Sequence, residues 1–499
     1  MIKRFFLIFI FQFLLNSYLI AQAYQKDIFE KTLSLGLPVV VINTENEEEP
    51  SCDYVSAPEG SWGKSIINAE KIPGEVSVFD SDGSLLYYSG EYKKGDSGMT
   101  IKVRGNTSAY YNKKPFKIKL QKKGDLLGRN DKSFNDKNWV LLNDPNLNMY
   151  VGLELSKMMD MDWTPEAKYV NVIINNDYRG LYLLAESVER NEECRVNVSN
   201  TGFIVEHDAY WWNEEGQYLL SSFNPFLNYT FKYPDFEDLS EEDINKIQYI
   251  LDTYEQGIEK ENYTELIDIE SFAKWILSHD ILGTWDGGGS NFYLCKYDIN
   301  DNSLIKAGPL WDFESMEIMD NDWSGPHTVL NRFKGLYTND SSFMHSFLKL
   351  WNDKKISLKD GLSKLFEELK DTELWKPYAS SLASSNSRWN TSYNSPDVEA
   401  DKRKDWFMDR LSWIDGKMNE IEASMGIENI ESENVGASDI KIIKNGFISN
   451  ISGYRILIYK SDGSLYESII SEKGKVVKIN NPGLYIVVIN NRSYKVLIK

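Results

Sequence analysis

Ile281-Leu282-Gly283-Thr284-Trp285-Asp286-Gly287-Gly288-Gly289-Ser290-Asn291-Phe292-Tyr293 sets an aspartate five positions before an asparagine, in a glycine-rich turn behind an apolar stretch. An aspartate so placed can take up the proton of an attacking hydroxyl, and an asparagine amide oxygen can ligate a metal. That division of labour belongs to phosphoryl-transfer loops of the kinase type. Twenty-one positions after Asn291 comes Asp312, within Trp311-Asp312-Phe313-Glu314, after an apolar approach. Magnesium prefers hard oxygen donors, and Asn291 with Asp312 on neighbouring loops supplies two. Alone, the Asp-x4-Asn spacing has a second reading. In an Asp- and Asn-rich chain it also describes a surface turn with ordinary capping side chains.

The upstream order of parts favours the first reading. Arg104-Gly105-Asn106-Thr107-Ser108 is a glycine-containing loop between two strand-like runs, able to offer backbone N–H groups to phosphate. It leads through Lys113-Lys114-Pro115 into Phe116-Lys117-Ile118-Lys119-Leu120, a period-two strand with Lys117 and Lys119 on one face. The pattern from Leu147 to Met159 is helical and carries Glu154, where a kinase helix places the glutamate that pairs with its phosphate-binding lysine. Two strands follow around the turn Asn175-Asn176-Asp177, ending at Glu186, where a small N-terminal lobe would hinge. Ser240 caps a helical region over 240–282, and further helical patterns cover 341–370 and 398–425. The expected fold is therefore α+β: a two-lobed, atypical kinase-like core with a β-rich N-lobe and a helical C-lobe, followed by a small C-terminal β-sandwich.

A chain of 499 residues exceeds one ordinary domain. The first 23 residues read as a signal peptide: Lys3 and Arg4, an apolar run from Phe5, and the small-residue exit Ala21-Gln22-Ala23. Residues 24–235 form the β-rich part, 236–425 the helical part, 426–438 an acidic linker, and 439–499 a separate module of short alternating strands. The net charge of -20 repels phosphate backbones, which argues against a nucleic-acid partner but leaves room for one basic pocket. After removal of the leader, no stretch is long and apolar enough to span a bilayer. Cys52, Cys194 and Cys295 make neither a disulfide framework nor a zinc motif; one disulfide or three thiols both fit.

The segments Arg104–Ser108, Lys114–Leu120, Gly180–Glu186, Ser290–Tyr293 and Pro309–Glu314 together resemble the CotH kinase family, over about residues 36–420. That resemblance implies a secreted or spore-coat type of atypical kinase, using ATP and Mg2+ or Mn2+ to phosphorylate proteins on serine. It implies Asp286 as the catalytic residue and Asn291 and Asp312 as metal ligands. Arg104, Gly105, Asn106, Ser108, Lys117, Lys119, Glu154 and Glu186 are implied around the nucleotide. The chain departs from the family pattern at Glu314, where an aspartate is common, and at Gly287–Gly289, where bulkier residues are common. Residues 446–499, with Ile456-Leu457-Ile458-Tyr459 and the strand-rich ending, are similar to type IX secretion sorting domains. This implies that the secretion machinery is a partner, that the location is secreted or cell-surface, and that the substrate is an extracytoplasmic protein.

Two other functions remain open on the sequence. A non-catalytic surface binding or adhesion protein on the same fold suits the local cluster Tyr210-Trp211-Trp212. A glycosidase suits a secreted, Trp-rich chain, although no carboxylate pair stands out as acid and nucleophile.

Overall fold

The structure is a computed structural model that describes residues 26–61, 63–214, 216–223, 226–284, 287, 290–313, 333, 335–336, 342–424, 439–461, 463–489 and 492–498. The expected leader, the 426–438 linker and Asp286 lie outside the described residues. The chain divides into two compact units, residues 1–415 and 416–499.

In the first unit, a short helix α1 (26–33) precedes β1 (Val39–Thr44) and the ribbon β2 (Asp53–Ser56) and β3 (Lys64–Ile67). Then come β4 (Ile72–Phe79), β5 (Leu85–Tyr88), β6 (Met99–Val103), β7 (Phe116–Gly124) and β8 (Asp136–Leu142). Helix α2 (Asn148–Met158) leads to the hairpin β9 (Ala167–Ile174) and β10 (Asp177–Glu186). Its turn residues Asn175 and Asn176 both have positive φ, as a tight hairpin needs.

β1 pairs in parallel with β9, Val39 opposite Asn171, and antiparallel with β4, Val40 opposite Val78. The sheet β1-β9-β10-β8-β7-β6-β4 thereby closes into a seven-strand barrel, with β5 on the far end of β4. Closure removes two sheet edges and gives the apolar alternation one inside. Val40, Val76, Ile101, Ile118, Trp139, Val172 and Leu184 fill it. At Gly74, opposite Thr44, an added Cβ would stand 2.4 Å from the Asn43 carbonyl oxygen, so glycine lets the two backbones meet where the barrel closes.

A second sheet, in the order β12-β13-β11-β14-β15, joins β11 (Phe203–Asp208), β12 (Tyr218–Leu219), β13 (Asn228–Tyr233), β14 (Phe292–Lys296) and β15 (Lys306–Ala307). Around it stand α3 (Glu241–Glu259), α4 (Ile269–Leu282), α5 (Ser342–Asp371), α6 (Trp375–Trp389) and α7 (Pro396–Ser424). Ser240 caps α3 by accepting the Asp243 N–H, and Asp268 caps α4 by accepting that of Ser271. α4 is buried from Trp275 to Leu282 and ends at Gly283 in the left-handed region, which turns the chain toward the glycine-rich loop. Phe272, Trp275, Phe292 and Phe333 pack edge to face beneath the sheet.

This architecture corrects the expected split into a β-rich N-lobe and a helical C-lobe. The protein is a mixed α+β fold with a closed barrel, seven helices among the described residues and several sheets. β11 and β13 come from the part expected to be the N-lobe, and β14 and β15 from the part expected to be helical, yet they share one sheet. The pairing β11–β14, Glu206 opposite Tyr293, is long-range and leaves no mark in local periodicity.

In the second unit, residues Ile440–Ile443, Gly446–Ser449 and Val476–Lys478 form a three-stranded sheet. Leu465–Ile470, Arg455–Lys460, Gly483–Ile489 and Arg492–Ile498 form a four-stranded one. The two share a core of Phe447, Ile456, Ile458, Val487, Ile489 and Val496.

Candidate active site: a basic cleft that ends on Asn291 and Asp312

Alternation along β7 buries Phe116, Ile118 and Leu120 in the barrel and turns Lys117 and Lys119 outward. β6 turns Lys102 outward in the same way, directly opposite Lys117. Like charges in register repel and destabilise a sheet unless an anion stands between them. Lys117 has Glu189 at 2.9 Å. Burial, and then repulsion from Lys117, Lys71 and Arg104, hold the Lys102 ammonium below the usual lysine value.

These side chains wall a cleft made of two cavities, of about 740 and 820 Å³. Both are lined by Lys102, Arg104, Lys117, Lys232, Tyr293 and Trp311. The first continues past Lys119 to Ser187–Glu189 and Tyr233–Pro234. The second reaches the Gly105–Ser108 loop and ends on Ser290, Asn291 and Asp312. Each has the size of a small-molecule site. In the loop, Gly105 has φ +84, and a Cβ there would meet Ser108 Oγ at 2.4 Å. The side-chain amide oxygen of Asn106 accepts a hydrogen bond from Ser65 at 2.6 Å, and Arg104 lies over the Trp311 ring at 5.9 Å.

Asn291 and Asp312 both hold left-handed backbone, φ 62 and 60, a costly conformation that packing must impose. For Asp312 the packing is plain. Trp311 and Phe313 on either side are buried, and Phe313 lies so close to Gly152 of α2 that a Cβ there would stand 2.1 Å from its ring. Gly152→Ala is expected to shift Phe313 and cost about 1–3 kcal/mol by overpacking. A urea unfolding curve checks this; an unchanged midpoint would show that Phe313 yields to the added methyl group without cost.

Opposite the lysines stand two acids from β11. Glu206 pairs with Lys232 at 2.8 Å and accepts the Asn291 N–H at 2.8 Å. Asp208 accepts the Ser290 hydroxyl at 3.0 Å and the Tyr210 N–H at 2.8 Å. Burial, and then the Glu206 charge, push the Asp208 carboxyl up to about 7.

A sequence profile of the CotH kinase protein family matches residues 101–414, more than half of the 499-residue chain. The chain belongs to the CotH kinase protein family. No curated protein matches it. Membership makes it kinase-like at the family level, and the matched span contains β7–β10 of the barrel, the β11–β14 sheet and most of the residues that line the cleft.

Within this CotH kinase fold, Arg104, Gly105, Asn106, Ser108, Lys117, Asn291 and Asp312 all line the second cavity, and Lys119 lines the first. Asn291 and Asp312 offer an amide and a carboxylate oxygen, a donor set suited to magnesium, which takes few protein ligands beside water and phosphate. Among the described residues, no three His, Cys, Asp or Glu side chains form a metal cluster by themselves. Two residues stand elsewhere. Glu154 pairs with Lys157 at 3.0 Å on α2, while Lys117 takes Glu189 instead. Glu186 is buried one residue before the cleft wall, where it binds Arg129 at 2.8 Å and accepts the Glu166 N–H at 3.0 Å. Sequence reasoning missed Lys102, Lys232, Glu206 and Asp208. The available signal was Phe203-Ile204-Val205-Glu206-His207-Asp208, a buried strand with two acids on one face. Cys52, Cys194 and Cys295 are thiols, and no described helix is long and apolar enough to cross a membrane.

Proposed function

We propose that the protein is a secreted protein kinase that transfers the γ-phosphoryl group of ATP to a serine hydroxyl of an extracytoplasmic protein. The observation that carries this reading is one cleft with a cationic wall leading to Asn291 and Asp312, in a chain whose net charge is -20. Bound Mg-ATP or Mn-ATP supplies the phosphoryl group and neutralises charge on its oxygens. Lys102, Lys117, Lys119 and Arg104 attract and orient the phosphates, and Gly105–Ser108 offers a close backbone approach. Asn291 and Asp312 hold the metal. Asp286 orients the acceptor hydroxyl and takes its proton. Positioning and fixed charge supply most of such a rate enhancement. A thermal-shift titration tests the reading: a rise in Tm with ATP that needs magnesium or manganese supports it, and no rise with any nucleotide defeats it.

The second unit is proposed to act as a sorting domain for type IX secretion. It has its own core, so removing residues 439–499 is expected to leave the first unit folded and to trap it in the periplasm. Cell fractionation reads this, and normal surface delivery of the truncated chain would rule the sorting role out.

A further inference from the structure

Strand β11 is buried along its whole length yet carries Glu206 and Asp208 two positions apart on one face. Buried carboxylates are costly unless paired and hydrogen-bonded, so what they bind is informative. All four of their oxygens are engaged. Glu206 Oε2 takes the Lys232 ammonium at 2.8 Å, and its Oε1 accepts the Asn291 N–H at 2.8 Å. Asp208 Oδ1 accepts the Ser290 hydroxyl at 3.0 Å and the Tyr210 N–H at 2.8 Å; its Oδ2 accepts the Thr230 hydroxyl at 3.3 Å. The β11–β14 ladder begins only at His207 opposite Phe292. Ahead of it, β11 grips the two preceding residues through its carboxylates, one on the Ser290 side chain and one on the Asn291 backbone. That grip coincides with the left-handed conformation of Asn291, φ 62.

We propose that Glu206 and Asp208, with Lys232 as counter-ion, are positioning residues that fix Asn291 at the metal end of the cleft. This rests on the reading of Asn291 as a metal-holding residue. Without Lys232, two buried carboxylates on one strand face would repel each other. Lys232 also lines both cavities, so the charge that balances Glu206 faces the path from one to the other. Groups that orient a ligating side chain typically change metal affinity by 10–100-fold when removed.

The test is calorimetry of ATP with and without manganese on the full chain, joined to amide hydrogen exchange at Asn291 in the metal-free protein. Glu206→Ala is expected to weaken manganese-dependent ATP binding by about 10–100-fold. Metal-free ATP affinity should not fall, since Lys232 loses its counter-ion and remains in the cleft, and exchange at Asn291 should quicken. Glu206→Gln keeps an oxygen for the Asn291 N–H and should recover part of the loss. If Glu206→Ala fails to fold, Ser290→Ala, which removes only the hydroxyl bound by Asp208, carries the same expectation. Equal manganese-dependent binding in wild type and variant overturns the proposal. So does a parallel fall in metal-free and metal-dependent binding, since that marks a general structural defect. A wild type that binds no nucleotide with metal overturns the functional reading itself, and this inference with it.

Discussion

Replacing Asp286 with asparagine is expected to leave ATP affinity nearly unchanged and to cut phosphoryl transfer by on the order of 10²-fold or more, the worth of a positioned base. The expectation comes from the sequence alone, where Asp286 stands five positions before Asn291, the spacing at which a transfer loop carries its acid. An asparagine keeps the size and one acceptor oxygen but cannot take a proton at neutral pH. Radiolabelled ATP, manganese or magnesium and an acceptor mixture, incubated with each purified protein, give the readout. A purely structural turn predicts lost folding instead, because an aspartate capping a glycine loop stabilises it. A binding or adhesion protein predicts no transfer by either chain. Unaltered transfer by the asparagine variant would remove Asp286 from the mechanism.

Asp312→Ala is expected to weaken metal-dependent nucleotide binding by on the order of 10²-fold, about 3 kcal/mol, for deleting one charged metal ligand. The protein should stay folded, because the segment is anchored by Trp311 and by Phe313 against Gly152 rather than by the carboxylate. Binding of ATP in excess chelator should hardly change, since Lys102, Lys117 and Arg104 remain. Calorimetry with Mg-ATP on both proteins decides it; equal affinity sinks the metal role of Asp312.

The parts of the fold that were legible are those set by neighbouring residues. The alternation Phe116 to Leu120, the turn Asn175-Asn176 and the cap Ser240 each carry their signal within a few positions, and the structure has a strand, a hairpin and a helix start there. Helix Trp375–Trp389 was not legible. Its five serines and Pro377 give it little apolar periodicity, but the proline sits in the first turn, where it is tolerated, and Ser381 and Ser385 pack on the barrel at Asn171 and Gly180. The barrel was hidden for a different reason. Val39 meets Asn171 in the barrel, as Glu206 meets Tyr293 in the second sheet, across long stretches of chain, and such pairings follow from the whole core rather than from any window. The same holds for the cleft. Lys117 and Lys119 stood out because they share a strand, whereas Lys102 and Lys232 are single lysines on separate strands, indistinguishable in sequence from solvated charges.

On the proposed mechanism, the basic cleft holds a nucleotide through a divalent metal at Asn291 and Asp312. Titrating the wild-type chain with ATP in a calorimeter, once with magnesium and once with excess chelator, tests it most directly. Saturable binding at one site that tightens at least about tenfold with metal is expected. Binding that is absent under both conditions, or identical in the two, would contradict it.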